Sequence, residues 1–196
     1  MKIIGLCGGS GSGKGAVGQI FSENGYFTID TDKVYRDITD NASPCLDALV
    51  CEFGGDILNS FGTLNRKALA DIVFSDKTKL RRLNAITHKF VLRRVRDIIA
   101  DLPPDKYIGV VVDAPLLYES GFDKECDYVV AVIADTEIRI NRIVLRDAIE
   151  REAAYKRFNS QTSDDHISAL ADFVIENNGD ISALKEKVLK VIKKIN

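Results

Sequence analysis

With 27 basic and 29 acidic side chains among 196 residues, the chain has a formal charge of −2 and no cationic field that could hold nucleic acid without specific contacts. Apolar residues make up 45% of it, enough to bury one good core, so a small-molecule ligand is the expected partner, with no nucleic acid and no membrane. Cys7, Cys45, Cys51 and Cys126 form no CxxC pair and no apolar run approaches a membrane span. The stretch ahead of the first glycines is also too short for a signal peptide, so a cytoplasmic protein with reduced thiols is expected.

In chain order, five short β-branched runs stand out: KIIGLC at 2–7, YFTID at 26–30, YIGVVVD at 107–113, YVVAVIA at 128–134 and DFVIEN at 172–177. Longer segments of helical period alternate with them, which predicts an α/β fold with a five-stranded parallel sheet and helices on both faces. The stretch between the second and third runs is about seventy residues long and helical by pattern, far more than one crossover requires, and reads as an insertion. Within it Asn65 can cap a helix carrying Leu69, Ile72 and Phe74. A long helix from about Lys77 to Asp101 sets Leu80, Leu83, Ile86, Phe90, Val91, Val95, Ile98 and Leu102 on one stripe before Pro103 and Pro104 stop it. Its other face carries Arg81, Arg82, Lys89, Arg93, Arg94 and Arg96, either a solvated face or one whose upper end meets substrate phosphates. Thr136 to Asp147 reads as a further helix, followed by a polar stretch from Ala148 to Ser168 that can form a mobile helical flap.

The segment CGGSGSGKGAVG, Cys7 to Gly18, meets the phosphate-loop pattern G-x-x-x-x-G-K-[ST] from Gly8 through Lys14 and departs from it only at Gly15. It follows the first strand directly and opens a helix containing Val17, Ile20 and Phe21. That context suits the mechanism, in which backbone N–H groups close around phosphate oxygens and a helix N-terminus adds partial positive charge. Gly8, Gly9, Ser10, Gly11, Ser12, Gly13, Lys14, Gly15 and Ala16 are therefore the expected ATP-binding residues, with Lys14 bridging the β- and γ-phosphates. Gly15 stands where a Ser or Thr hydroxyl would bind Mg²⁺. Because magnesium keeps several waters and few carboxylate ligands, a water can take that position.

In a doubly wound sheet the ligand lies beyond the carboxyl ends of the strands, which draws attention to Asp30, Asp32 and Asp113. Asp30 and Asp32 can each cap the following helix; Asp32 can equally accept a proton from an attacking hydroxyl, with Arg36 one turn further on the same face. Asp113 occupies a position from which a carboxylate can orient hydrated Mg²⁺, or simply cap the strand end. Arg142 and Arg146 lie four apart and share a helical face.

Several segments, in this order and spacing, resemble the dephospho-coenzyme A kinase family: GLCGGSGSGK at 5–14, IDTDKVYR at 29–36, GTLNRKALADIVFSD at 62–76, ITH at 86–88, VVDAPLLYESG at 111–121, RIVLRD at 142–147, Gln161, and ADFVIENNGD at 171–180. The resemblance implies a P-loop NTPase-type fold, made of one kinase domain over 1–196 with a helical coenzyme A-binding insertion at 40–104 and a lid at 148–168. It implies transfer of the γ-phosphoryl group of ATP to the ribose 3′-hydroxyl of dephospho-coenzyme A, with Mg²⁺ as cofactor, by a monomer or small homo-oligomer. By position in the matching segments, Asp32 is the catalytic base, Lys14, Arg142 and Arg146 attend the transferred phosphoryl group, and Asn177 and Gly179 lie near adenine. Asp32, Arg36, Arg66, His88, Leu116 and Glu119 fall to the acceptor substrate, and Asp113 and Asp32 to the metal, through water.

The departures from the family pattern are Gly15, Lys89 after the motif histidine where proline is usual, Ala148 after the RD pair where glycine is usual, and Ile167 where a lid lysine is common. They leave two alternatives. One is a P-loop kinase for another nucleoside or nucleotide; the other is a non-catalytic nucleotide- or coenzyme A-binding homologue, for which Gly15 is the motive.

Overall fold

The computed structural model describes residues 1–103 and 105–196; Pro104, the second proline expected to stop the long helix, lies outside the described residues. The chain forms two compact units, one of Met1–Ile29 with Pro103–Asn196 and the other of Asp30–Leu102.

The first unit is built on β1 (Lys2–Cys7), β2 (Tyr26–Asp30, its last residue opening the second unit), β3 (Gly109–Asp113), β4 (Tyr128–Ile133) and β5 (Phe173–Glu176), in the order β2-β3-β1-β4-β5. These are the five runs read from the sequence. They are parallel, and the sheet is flanked by α1 (Lys14–Glu23), α6 (Leu117–Ser120), α7 (Thr136–Asp147), α8 (Arg151–Asn159), α9 (Asp164–Leu170) and α10 (Ile181–Ile195). Alternation along β1 assigns the faces. Ile4 and Leu6 join a core with Val17, Ile20 and Phe21 of α1 and Leu184, Val188 and Ile192 of α10. Gly5 points the other way, where an added Cβ would lie 2.8 Å from Leu117 Cδ2 of α6. The register pairs Leu6 with Asp113, Cys7 with Ala131, and Ile133 with Glu176. β3 therefore ends one residue short of β1, while β4 and β5 run two residues past β1, and the loops leaving β1, β3, β4 and β5 all open at the carboxyl end of the sheet.

The second unit contains α2 (Thr31–Thr39), α3 (Pro44–Phe53), α4 (Arg66–Val73) and α5 (Lys77–Ala100). Its core is Cys45, Leu46, Leu49, Ile57, Leu64, Leu69 and Val73, covered by Leu80, Leu83, Ile86 and Phe90 of α5. Asn65 caps α4, its side chain accepting from Ala68 N at 3.1 Å. Asp76 caps α5 in the same way, accepting from Thr78 N at 2.7 Å. The unit starts ten residues ahead of the boundary expected at 40, because Tyr35 and Ile38 of α2 pack on this core. Phe74 is not part of the apolar stripe: the helix ends at Val73 and leaves Phe74 76% exposed at the C-cap. Leu102 likewise lies past the end of α5. The basic residues of α5 are all exposed, and Arg82 pairs with Glu52 at 2.7 Å.

All four cysteines are free. Burial pushes the thiols of Cys7 and Cys45 up to about 11 and that of Cys126 to about 12, so each stays protonated and inert near neutral pH. Cys51 is exposed. Iodoacetamide at pH 8, read by mass spectrometry, is expected to label Cys51 in the native protein and the other three only after unfolding; early labelling of Cys7 would contradict the packing beneath the first strand.

Candidate functional site: the phosphate loop

Between β1 and α1 the chain turns through Gly8, Gly11 and Gly13, whose φ values of 147°, 79° and 96° favour glycine. The sequence suggests that these glycines serve phosphate approach; the structure adds that each gives up its side chain to a neighbour. A Cβ on Gly8 would fall 2.3 Å from Val132 O, on Gly9 1.9 Å from Arg139 Nη2, on Gly11 2.6 Å from Arg139 O and on Gly13 2.1 Å from Asn177 Nδ2. The loop is thus pressed against β4, α7 and the end of β5.

Gly13 is the N-cap of α1 and supplies no capping side chain, and the first turn carries no acid. The N–H groups of Gly11, Gly13, Lys14 and Gly15 donate no hydrogen bond among the described residues. Together with the helix dipole they form a ready site for an anion. Lys14 Nζ donates to Gly8 O at 2.9 Å and lies 4.0 Å from Asp113 Oδ1. Asp113 reaches the loop because its strand partner is Leu6, and Ala114 N donates to Leu6 O at 3.0 Å. Ser12 is fully buried, and its Oγ meets no hydrogen-bond partner among the described residues. Gly15 is the exception to the crowding: its added Cβ would find nothing within 4 Å.

The flanks of the loop are held by the elements after β4 and β5. Arg142 Nη1 donates to Gly11 O at 3.3 Å and Ser12 O at 3.4 Å, and Asn177 Nδ2 to Ser12 O at 2.8 Å. Arg146 donates to Ser10 Oγ at 3.1 Å and to both oxygens of Asp147, and that hydrogen bond holds the Asp147 carboxyl below the usual range. Gln161 Oε1 accepts from Ser10 N at 2.9 Å. On α6, Glu119 accepts from Thr162 Oγ1 at 2.9 Å, while Leu116 is the exposed residue just before the helix. Gly179 precedes α10, where a Cβ would lie 3.3 Å from that of Ala183.

Sequence reasoning misses Arg139, the most engaged side chain here, which donates to Ser10 O, Gln161 Oε1 and Asp164 Oδ1 at 2.9, 2.9 and 2.7 Å. Its spacing from Arg142 and Arg146, i, i+3 and i+7, puts all three on one helical face, a signal the RIVLRD segment alone does not contain.

In the helical unit, the two readings of Asp30 and Asp32 separate. Asp30 is the N-cap of α2, its Oδ1 accepting from Asp32 N at 2.9 Å and Lys33 N at 3.1 Å. Asp32, in the first turn, is exposed, and its carboxylate takes no hydrogen bond or ion pair among the described residues; Arg36 is exposed one turn on. Arg66, the first residue of α4, pairs with Asp40 at 2.7 Å and donates to Thr39 Oγ1 at 3.1 Å. His88 lies half-buried on α5.

Two of the departures acquire physical reasons. Ala148 ends α7 at φ 51°, the only positive φ outside glycine among the described residues, which is why glycine suits that position. Ile167 is buried on α9 at 5% exposure, a place for an apolar group.

A glycine-rich loop ending in lysine, set between the first strand and first helix of a five-stranded parallel sheet, defines a nucleotide-binding protein of the P-loop kinase class. The model of the dephospho-CoA kinase family matches residues 2–183. A dephospho-CoA kinase of Fusobacterium nucleatum is 42% identical over 188 residues, 96% of this chain and 95% of its own. The structure of TT1252 from Thermus thermophilus superposes with a TM-score of 0.85 at 30% identity, covering 99% of this chain and 97% of that one. Dephospho-CoA kinase from Campylobacter jejuni superposes at 0.71 with 26% identity, covering 100% and 98%. The chain belongs to the dephospho-CoA kinase family, as the resemblance of its segments implies.

Three glycine-alanine-serine exchanges read these packing statements. Gly13→Ala is expected to cost about 2–4 kcal/mol, from the clash with Asn177 and the left-handed backbone. Gly15→Ser should leave stability within about 0.5 kcal/mol of the parent, and Ala148→Gly should stabilise by about 1 kcal/mol through relief of its torsion. Urea unfolding measures all three, and a neutral Gly13→Ala would contradict the tight contact.

Proposed function

We propose that this chain performs its family's reaction, the ATP-dependent phosphorylation of dephospho-CoA to CoA, on the ribose 3′-hydroxyl, with the phosphate loop as the ATP site and Asp32 as the base. The observation that carries the reading is the loop itself: four uncommitted N–H groups at a helix N-terminus with the Lys14 ammonium beside them. Lys14 and those amides grip the β- and γ-phosphates, and Gly8, Gly9, Ser10, Ser12 and Ala16 give the loop its path. Arg142 and Arg146 clamp the phosphates when the 148–168 lid closes. The long bonds of Arg142 to loop carbonyls, 3.3 and 3.4 Å, make it easy to turn toward an anion. Asn177 and Gly179 border the adenine, while Arg36, Arg66, His88, Leu116 and Glu119 receive the acceptor, the helical insertion at 40–104 being its coenzyme A-binding part.

Kinases of this kind use ATP with a divalent metal. Among the described residues no group of three or more His, Cys, Asp or Glu is gathered as a metal site, and the carboxylate beside the loop is Asp113, 4.0 Å from Lys14. That donor set fits a hydrated Mg²⁺ held chiefly by phosphates, with Asp113 and Asp32 reaching it through water. When bound, the ion neutralises charge on the phosphate oxygens. Asp32 takes the proton of the 3′-hydroxyl as its oxygen attacks the γ-phosphorus; the bond to the β,γ-bridging oxygen breaks and ADP leaves. A closed lid keeps water from competing as acceptor. Free thiols throughout support a reducing, cytoplasmic setting. The protein acts as a monomer or small homo-oligomer, and no helix among the described residues is long and apolar enough to cross a membrane.

Purified protein with ATP, Mg²⁺ and dephospho-CoA, beside a panel of other nucleosides, tests the reading. Asp32→Asn is expected to lower kcat by about 10²–10⁴-fold with little change in stability. Asp30→Ala, which removes a helix cap, should instead cost about 1 kcal/mol of stability. Full turnover by Asp32→Asn would remove the base assignment, and preference for another nucleoside would remove the substrate. Gly15→Ser should lower the Mg²⁺ concentration for half-maximal rate, since a hydroxyl fits the open space there.

A further inference from the structure

Every polar group of Ser10, in the middle of the phosphate loop, is taken by a side chain from the 139–161 stretch. Its N–H donates to Gln161 Oε1, its carbonyl accepts from Arg139 Nε and its hydroxyl accepts from Arg146 Nη2, at 2.9, 2.9 and 3.1 Å. Arg139 reaches furthest. Its Nη2 donates to the same Gln161 oxygen at 2.9 Å, its Nη1 donates to Asp164 Oδ1 at 2.7 Å, and its guanidinium lies 4.4 Å from the centre of the Phe158 ring. One cation, 2% exposed, thus joins the loop, the last turn of α8, the α8–α9 connection and the first turn of α9. Gly9 and Gly11 are the loop residues that leave room for it, since a Cβ on either would fall within 2.6 Å of an Arg139 atom.

A guanidinium presents its donors in a rigid plane, so a shift in one acceptor must be followed by the others or lose its bond. Buried as it is, Arg139 tolerates no half-broken arrangement cheaply, because a desolvated charge without its partners is strongly disfavoured. A small rotation of the Ser10 peptide is therefore passed to Gln161 and Asp164 rather than absorbed. We propose that Arg139 is a positioning residue that couples the shape of the phosphate loop to the placement of the α8–α9 segment, so that nucleotide in the loop and order in that segment favour each other. The idea rests on the loop being the nucleotide site and goes beyond it by assigning a linkage. By thermodynamic reciprocity, whatever factor an ordered segment adds to nucleotide affinity, bound nucleotide returns as protection of the segment.

Arg139→Lys keeps a positive charge opposite Asp164 but lacks the fork; Asp164→Asn keeps the fork and removes the charge partner. Calorimetry gives ATP affinity, steady-state kinetics gives KM and kcat, and limited trypsin digestion reads cleavage at the exposed Arg151, Lys156 and Arg157 of α8 with and without ATP. In the parent protein ATP should slow that cleavage about tenfold, within the usual range for coupling between sites. Arg139→Lys should weaken ATP binding and raise its KM about tenfold, abolish the ATP-dependent protection, and change kcat at saturating ATP by less than about threefold. Asp164→Asn should show a smaller loss in the same direction, and it carries the comparison if Arg139→Lys does not fold. A merely structural arginine would lower the unfolding midpoint while the folded protein kept the parent's KM and protection ratio, and that result overturns the proposal. A parent protein that binds ATP without protecting α8 also overturns it and leaves the nucleotide site standing, whereas a parent that binds no ATP removes both.

Discussion

The structure depends on a run of backbone that must keep its N–H groups unspent. A loop with four backbone donors that meet no partner among the described residues is costly to hold in one shape, since ordering each residue costs about 1–2 kcal/mol of backbone entropy and few bonds within the loop, such as Ser12 N to Gly9 O, offset it. The shape is imposed from outside. Glycines at 8, 9, 11 and 13 let a strand carbonyl, an arginine and an asparagine press directly on the chain, and the carbonyls of residues 8, 10, 11 and 12 are all engaged by side chains. Acceptors are satisfied within the protein and donors are left over, which is the polarity an anion site requires.

The sheet makes this arrangement possible by running its strands parallel, so that their carboxyl ends face one side. Leu6 beside Asp113 and Ile133 beside Glu176 bring the residues after β1, β3, β4 and β5 to one edge, where the loop, the Asp113 carboxylate and Asn177 are neighbours without any being close in sequence. The side chains that hold the loop come from elements placed after the central strand pair. They give the loop its shape, and the charge closest to its open amides is that of Lys14 and the helix N-terminus.

Much of this was legible in the residues. The five strands stood out because parallel strands buried on both faces read as unbroken apolar runs, and Asn65 announced a helix start because a short polar side chain can cap one; Asp30 carried two readings, cap and site carboxylate, which only the structure separates. The phosphate loop was readable for the same local reason. What escaped was decided by packing across long separations. Tyr35 and Ile38 assign α2 to the helical unit only once the core they join is assembled, and Phe74 looks apolar and internal until the helix stops one residue short of it. Arg139 was hidden by its own chemistry, for a charged residue beside Ile140 and Ile143 suggests the edge of a helix rather than its buried face. The family segments carried roles for Asp32 and Arg146, but nothing in them signalled a residue whose partners are Ser10, Gln161 and Asp164.

Ala148 gives the joint between α7 and α8 a particular stiffness. A glycine at that corner could swing through both halves of its torsional map, so the helix beyond it would sample many headings. A methyl group confines the corner to a small left-handed basin and narrows those headings before any ligand arrives. Less freedom is then left to the corner once the chain has folded, while the protein accepts a slightly strained bend in return.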